Sequence, residues 1–272
     1  MAQDPSKVYM NDQSEAVLRT YKWRTAENSV AYLLPHIQPH MHILDIGCGP
    51  GTISIDLATR VPHGRVVGVD YASEPLDSGR ALAAERGVTN IDFAVGNALA
   101  LDFPDNTFDL VCVHQVLVHN SDPVQALREM RRVAKPGGIV AAKEGDVQVM
   151  VWHPENEGLQ VWRDVTMKIA RSRGVEMNAG RRVLSWALEA GFPRESIACS
   201  ASAYCFSTPE EREYWGGTMG ERTFGSFRKA AIGGGHATED GLKTISEGWK
   251  QWVAQEDGWF TAMSGEILCR VL

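Results

Sequence analysis

The sequence predicts a doubly wound α/β fold, in which a mostly parallel sheet is covered by helices on both faces. Three observations carry this expectation. Between residues 42 and 144, short β-rich apolar runs alternate with stretches of helical periodicity. Those runs are nearly continuous in apolar residues, as strands buried on both faces are. The chain has 272 residues, 44% of them hydrophobic, enough for one large core and a small appended cap.

The elements follow in order. Residues 14–37 read as one or two helices with Val17, Leu18, Tyr21, Val30, Leu33 and Leu34 as apolar positions, closed by Pro35. The expected core strands are His42–Ile46, Arg65–Asp70, Ile91–Val95, Phe108–Val113 and Ile139–Glu144. Between them, Ser73 precedes Glu74-Pro75-Leu76 as a helix start, and Gly87 can take the left-handed conformation that ends that helix. Ser121 or Asp122 can cap a helix opened by Pro123, and Lys135-Pro136-Gly137-Gly138 stops it. Beyond the core, 159–172 and 181–190 read as helices, 197–206 as a strand, 209–231 and 239–254 as helical, and 266–271 as a last strand. The expected organisation is a single domain over 1–272, with an N-terminal helical cover (1–41), a ligand-binding core (42–146) and a C-terminal half carrying a substrate cap (147–272).

Composition excludes several functions. The net charge is −7 and no run of Lys or Arg could track phosphates, so nucleic acid is not the expected partner. The five cysteines are odd in number, scattered and without C-x-x-C pairs, which argues against a disulfide framework or a zinc site. His36, His40, His42 and His63 have no ligand spacing either, so no metal is expected. Asp4 and Pro5 interrupt what would be a secretory signal, and no apolar segment is long enough to cross a membrane. A cytoplasmic protein is expected.

The most informative stretch is Ile43-Leu44-Asp45-Ile46-Gly47-Cys48-Gly49-Pro50-Gly51-Thr52. A strand runs into three glycines, and a helix with Ile53 and Leu57 on one face follows. Such a turn admits close approach of a ligand to the backbone, outside the carboxyl ends of the strands. The spacing is G-x-G-x-G, with Thr52 where a dinucleotide fingerprint needs its third glycine. Asp45 beside the loop would repel a diphosphate but suits an ammonium group. Asp70, ending the apolar strand 65–70, is placed to accept hydrogen bonds from ribose hydroxyls. In Gly96-Asn97-Ala98, the Asn97 amide could accept from an adenine amine, and the following backbone N–H could donate to a ring nitrogen.

The series Asp45, Gly47-x-Gly49-x-Gly51, Asp70, Gly96-Asn97-Ala98, Phe108-Asp109-Leu110-Val111 and Arg132-Val133-Ala134-Lys135-Pro136-Gly137-Gly138 resembles the class I S-adenosylmethionine-dependent methyltransferases. Within them it is most similar to the ubiquinone- and menaquinone-biosynthesis branch and to small-molecule methyltransferases of secondary metabolism. The resemblance spans about residues 20 to 146. It implies a Rossmann-like seven-stranded sheet with an antiparallel last strand, and S-adenosyl-L-methionine as cofactor. The cofactor set it implies is Asp45, Gly47, Cys48, Gly49, Gly51, Asp70, Tyr71, Asn97, Ala98 and His114. Arg24, in a cluster (residues 23–28) similar to the segment that covers the cofactor, is expected to pair with the methionine carboxylate, as is Tyr9 through its hydroxyl. Asn97 stands where most members carry Asp, and Lys143 and Asp146 depart from the quinone-enzyme pattern.

The expected reaction is methyl transfer to a small organic acceptor at O, S, N or C. The alternatives are a non-methylating cofactor-binding protein of the same fold and a quinone-biosynthesis C-methyltransferase. A sulfonium methyl is already electrophilic, so positioning is the main requirement, worth roughly 7–11 kcal/mol. For a phenol, thiol or acidic carbon, a general base adds about 10²–10⁴-fold, and His114 and His119 after the fourth strand are the candidates. All eight tryptophans lie outside the core, as an aromatic wall around an acceptor would require. The segment with Tyr214, Trp215, Met219, Phe224 and Phe227, interspersed with glycines, is expected to form a lid over the acceptor.

Overall fold

The structure is a computed structural model that describes residues 15–272. Tyr9 lies outside the described residues. Among the described residues eight strands form one sheet: β1 (His42–Ile46), β2 (Arg65–Asp70), β3 (Ile91–Val95), β4 (Phe108–His114), β5 (Ala134–Gly145), β6 (Val151–His153), β7 (Ile197–Phe206) and β8 (Trp259–Arg270). Strands β3, β2, β1, β4 and β5 are parallel neighbours in that order, and β8 runs antiparallel beside β5. The order reverses between β1 and β4, which opens a crevice at their carboxyl ends.

Two features of the sheet differ from expectation. Besides the seven expected strands there is β6, whose three residues pair with Trp259, Phe260 and Thr261. Because β7 also pairs with Phe260 and Thr261, β6 lies end-on to β5 along one edge of β8 and β7 takes the other. Strand β8 also starts at Trp259, well before the expected Glu266. Gly265 makes the run look broken in sequence, yet a Cβ there would stand 2.0 Å from the Gly180 carbonyl oxygen. This glycine allows a close backbone approach within a continuous strand.

The helices are α1 (Glu15–Lys22), α2 (Ala26–Ser29), α3 (Thr52–Arg60), α4 (Glu74–Glu85), α5 (Pro123–Val133), α6 (Glu157–Ser172), α7 (Val183–Glu189), α8 (Pro209–Arg212), α9 (Thr218–Arg222), α10 (Ser226–Gly233) and α11 (Glu239–Ala254). Asp122 caps α5 by accepting the Gln125 N–H at 2.8 Å, with Pro123 in the first turn. Gly87 takes φ +67° beyond α4. Ser73 occupies the N-cap position of α4 but its side chain accepts no capping bond, and Glu74 and Asp77 face the helix N-terminus instead. The stretch expected to be helical over 209–231 is divided: a π-helical turn, Glu213–Gly217, joins α8 to α9, and Gly225 separates α9 from α10.

Alternate residues of the strands serve opposite faces. Leu44, Ile46, Val111 and Val140 pack with Leu127 and Met130 of α5 and Trp186 of α7. Ile43, Val66, Leu110 and Ile139 pack with Ala26 of α2 and Leu57 of α3. A separate cluster joins α6, α11, β7 and β8 through Leu159, Trp162, Phe206, Ile245, Trp249, Trp252 and Phe260. Truncating the fully buried Trp249 to Ala would cost about 3–5 kcal/mol. Among the described residues, no helix is long and apolar enough to cross a membrane, and no cluster of His, Cys, Asp or Glu could hold a metal.

Candidate active site

The glycine turn is shaped by its backbone. Gly47 and Cys48 both donate to the Val69 carbonyl (2.7 and 3.0 Å), and Gly51 donates to the Cys48 carbonyl at 3.0 Å. Gly47, Gly49 and Gly51 have φ of +70°, +54° and +72°. At Gly49 a Cβ would meet nothing within 4 Å, so here the main chain faces open space in the crevice.

Asp70 ends β2 with both carboxylate oxygens oriented. Oδ2 accepts the Gly49 N–H at 2.9 Å and Oδ1 the Ala72 N–H at 3.0 Å, which leaves a free lone pair on each. Asp45 is 4% exposed and accepts the Ser54 hydroxyl at 2.5 Å. Burial pushes its carboxyl up to about 6, with the Asp70 charge adding to the effect and the Ser54 and Cys112 hydrogen bonds opposing it. Asn97 Oδ1 accepts the Leu99 N–H at 3.0 Å, so its amide oxygen already shapes its own loop.

A single cavity of about 360 Å³ connects these groups with the helical cover. Of the predicted set it brings together Arg24, Asp45, Gly47, Cys48, Gly49, Asp70, Tyr71, Asn97, Ala98, His114 and His119. Gly51 shapes the turn without lining the cavity. Arg24 stands over the Tyr21 ring, and its guanidinium donates to the Gln115 side-chain oxygen at 2.5 Å. The far wall is mainly apolar, formed by Met150, Trp162, Ile169, Trp215, Met219 and Phe227, with Thr166, Arg222, Thr223 and Ser226 also on it.

Only part of the expected aromatic wall is there. Trp162 and Trp215 line the cavity, whereas Trp249 and Trp252 fill the core behind them, Trp186 packs on the sheet and Trp259 is exposed. The lid expectation is corrected at two residues. Phe224, at the break between α9 and α10, is 51% exposed and does not line the cavity. Tyr214 packs against Trp23 and donates its hydroxyl to the Arg19 carbonyl at 2.7 Å, which ties this segment to α1.

The two histidines differ in setting. His114, at the end of β4, is 6% exposed, with Nε2 3.1 Å from the Tyr204 hydroxyl. Burial, with Arg24 and Lys143 adding positive charge, holds its imidazole well below the usual range. His119 ends a short 3₁₀ turn, Leu117–His119, and burial and Arg24 push it down to about 4. Both rings are neutral at pH 7.

A scan of known families matches residues 37–186 to a family described as "Methyltransferase domain". The chain is 36% identical over 267 residues to an uncharacterised methyltransferase of Schizosaccharomyces pombe, covering 96% of this chain and 95% of that one. The chain belongs to the methyltransferase family. It is 31% identical over 280 residues to the probable methyltransferase ltbC of Aspergillus luteorubrus, covering 96% of each. Similarity to a demethylmenaquinone methyltransferase of Listeria monocytogenes, 39% over 121 residues, covers 44% of this chain and 49% of that enzyme. Among solved structures, the YcgJ protein of Bacillus subtilis superposes with a TM-score of 0.56 at 20% identity, covering 89% of this chain and 98% of that one. The [4+2]-cyclase SpnF gives 0.52 at 20%, covering 96% and 86%. These likenesses agree with the Rossmann-like fold expected from the motifs. The enzyme class follows: this is an S-adenosylmethionine-dependent methyltransferase.

Three features of the methyltransferase site were not predicted. Glu144, at the end of β5, is fully buried and accepts the N–H groups of Val116 (2.9 Å), Leu117 (2.8 Å) and Val118 (3.3 Å), fixing the loop after β4. Burial raises its carboxyl to about 7 against those bonds and Arg24. An acid at the end of an apolar strand was the signal, as at Asp70. Gln115 adopts φ +55°, a left-handed conformation rare for a residue with a side chain and common at functional sites. Tyr204 reaches His114 from β7, 90 residues further along the chain. Lys143, a departure from the quinone pattern, is buried 3.3 Å from Glu266, and Asp146 is held by Arg181.

Proposed function

We propose that this methyltransferase passes the methyl group of S-adenosyl-L-methionine to a small, largely apolar organic acceptor in cytoplasmic secondary metabolism. The observation that carries the reading is the continuous cavity, polar at the glycine turn and lined beneath α6, α9 and α10 by Trp162, Ile169, Met219 and Phe227, with Thr166, Arg222, Thr223 and Ser226 as polar groups between them. The cofactor fits the residues present. Gly49 leaves backbone open to a ligand, Asp70 offers two oriented oxygens to a ribose, and buried Asp45 has no cationic partner among the described residues, which an amino-acid ammonium would provide. Gly47, Cys48, Tyr71, Asn97 and Ala98 complete the binding surface on the turn that Gly51 shapes, and Arg24, with Tyr9, is assigned to the carboxylate. When bound, the cofactor supplies an electrophilic methyl on a sulfonium.

The chain's own contribution is to orient the acceptor and exclude water. Trp162, Trp215, Met219 and Phe227 supply the apolar contact. Trp215 Nε1 is buried without a partner among the described residues, a donor suited to an oxygen on the acceptor. The test is incubation with methyl-labelled cofactor and a panel of phenols, thiols, amines and quinols, followed by mass spectrometry. Since SpnF shares the fold, the readout is label on the acceptor. Absence of any thermal shift with saturating S-adenosylhomocysteine, on folded protein, would refute the cofactor assignment; linkage predicts about 2.7 kcal/mol at 100 times Kd.

A further inference from the structure

A chain of hydrogen bonds runs from α2 to the end of β4, and its direction is fixed. Asn28 Nδ2 donates to the Trp23 carbonyl at 3.0 Å, which turns Oδ1 toward the Thr25 N–H (2.8 Å) and the Ser29 hydroxyl (2.7 Å). An amide oxygen only accepts, so the single Ser29 proton points to Asn28. The Tyr204 hydroxyl, 2.8 Å from Ser29 Oγ, must then donate to it. His114 Nε2, 3.1 Å from the Tyr204 oxygen, therefore faces an acceptor and must carry a hydrogen. In the neutral ring this leaves a bare lone pair on Nδ1, which is buried and has no partner among the described residues, on a side chain that lines the cavity.

We propose that His114 Nδ1 is the general base for an acceptor bearing an ionisable O–H, a phenol or enol, and that Asn28, Ser29 and Tyr204 are positioning residues that hold the ring in this tautomer. The inference rests on the methyltransferase reading of the cavity. The acceptor's O–H bond breaks and its proton passes to the Nδ1 lone pair. The oxygen uses the freed electron pair to form the O–CH₃ bond, and the S–CH₃ electron pair returns to sulfur. Positive charge thus moves from sulfur to the imidazole, with no other reactant needed. Burial, with Arg24 and Lys143 adding to it, acts against a resting imidazolium, so the ring is free to take a proton and does not retain it. A phenol also matches the wall, where Trp162, Trp215 and Phe227 can face an aromatic ring.

The test begins with the tautomer. In the full chain labelled with ¹⁵N-histidine at pH 7, the His114 signals, assigned by their loss in His114→Gln, should show a protonated Nε2 and a bare Nδ1. Tyr204→Phe should shift the ring toward a mixture. A ring protonated on Nδ1, or an imidazolium, would overturn the proposal. With a phenol that accepts label from the panel, His114→Gln should lower kcat about 10²–10⁴-fold with the acceptor KM within about twofold. Unchanged kcat, or a panel in which only amines or thiols are methylated, would also overturn it. Should His114→Gln not fold, Tyr204→Phe removes one hydroxyl and serves both measurements. Calorimetry with S-adenosylhomocysteine tests the cofactor site separately, so loss of that binding in wild type would indict the methyltransferase reading and not the base.

Discussion

Asp45→Asn separates two effects that act on one residue with opposite sign. In the free protein burial raises the Asp45 carboxyl to about 6, against 3.8 for an exposed aspartate. A folded value above the unfolded one means the native state holds the proton more tightly. The resulting stability is fully present below the unfolded value and is lost as pH rises through the folded one. The gap corresponds to about 3 kcal/mol. Asparagine can still accept the Ser54 hydroxyl but never ionises, so at about pH 8 the ligand-free variant should be more stable than wild type by up to about 3 kcal/mol. That advantage should fade toward about pH 4. Cofactor binding should move the other way. Losing a charged partner for an ammonium costs about 1.5–3 kcal/mol, roughly a 10- to 150-fold weaker Kd for S-adenosylhomocysteine. Urea unfolding across this pH range, with and without ligand, and calorimetry at neutral pH check both. Identical pH dependence in variant and wild type would refute the buried ionisation, and unchanged affinity would remove the ammonium from Asp45.

The other substitutions probe different walls of the cavity. Asp70→Ala should weaken S-adenosylhomocysteine binding by about 1.5–3 kcal/mol in calorimetry, by removing both ribose acceptors and the partner of the Gly49 N–H. Glu144→Ala leaves three backbone N–H groups without their acceptor and should cost roughly 3–5 kcal/mol in urea unfolding. Glu144→Gln should lose less and should also flatten the stability profile, because the raised Glu144 carboxyl contributes stability at low pH that is lost as pH rises through about 7. Trp215→Ala and Phe227→Ala should raise the acceptor KM with cofactor affinity within about twofold, whereas exposed Phe224→Ala should leave both unchanged in steady-state kinetics.

Most of the fold was legible because local signals agreed with each other. The strands β1, β2, β3 and β7 run between the residues expected, since each is an apolar run bounded by turn residues. Strand β6 was not legible, being three residues long and held only by pairing with β8. The end of the cavity at the glycine turn could be read because Asp45, the glycines and Asp70 are brought together by one strand-turn-helix-strand unit. The opposite end comes from residues as distant as Met150, Trp162, Trp215 and Phe227, and no local pattern in 209–231 separates Phe227, which lines the cavity, from Phe224, which does not. Likewise His114 was visible as a candidate, but the tyrosine and serine that orient its ring come from β7 and α2, and only tertiary packing joins them.

The position of β8 bears on how the chain is made. This strand alone pairs with β5, β6 and β7, and it follows all other described elements in the chain. During synthesis from the N-terminus, the five parallel strands and their helices can form as soon as they leave the ribosome, but β5 keeps an open edge and β7 has no partner until residues 259–270 emerge. At about 5–20 residues per second, the interval between completing β5 and completing β8 is on the order of ten seconds. Throughout that interval the nascent chain exposes an unpaired apolar strand edge, which makes this stage the natural point for chaperone engagement and for off-pathway association.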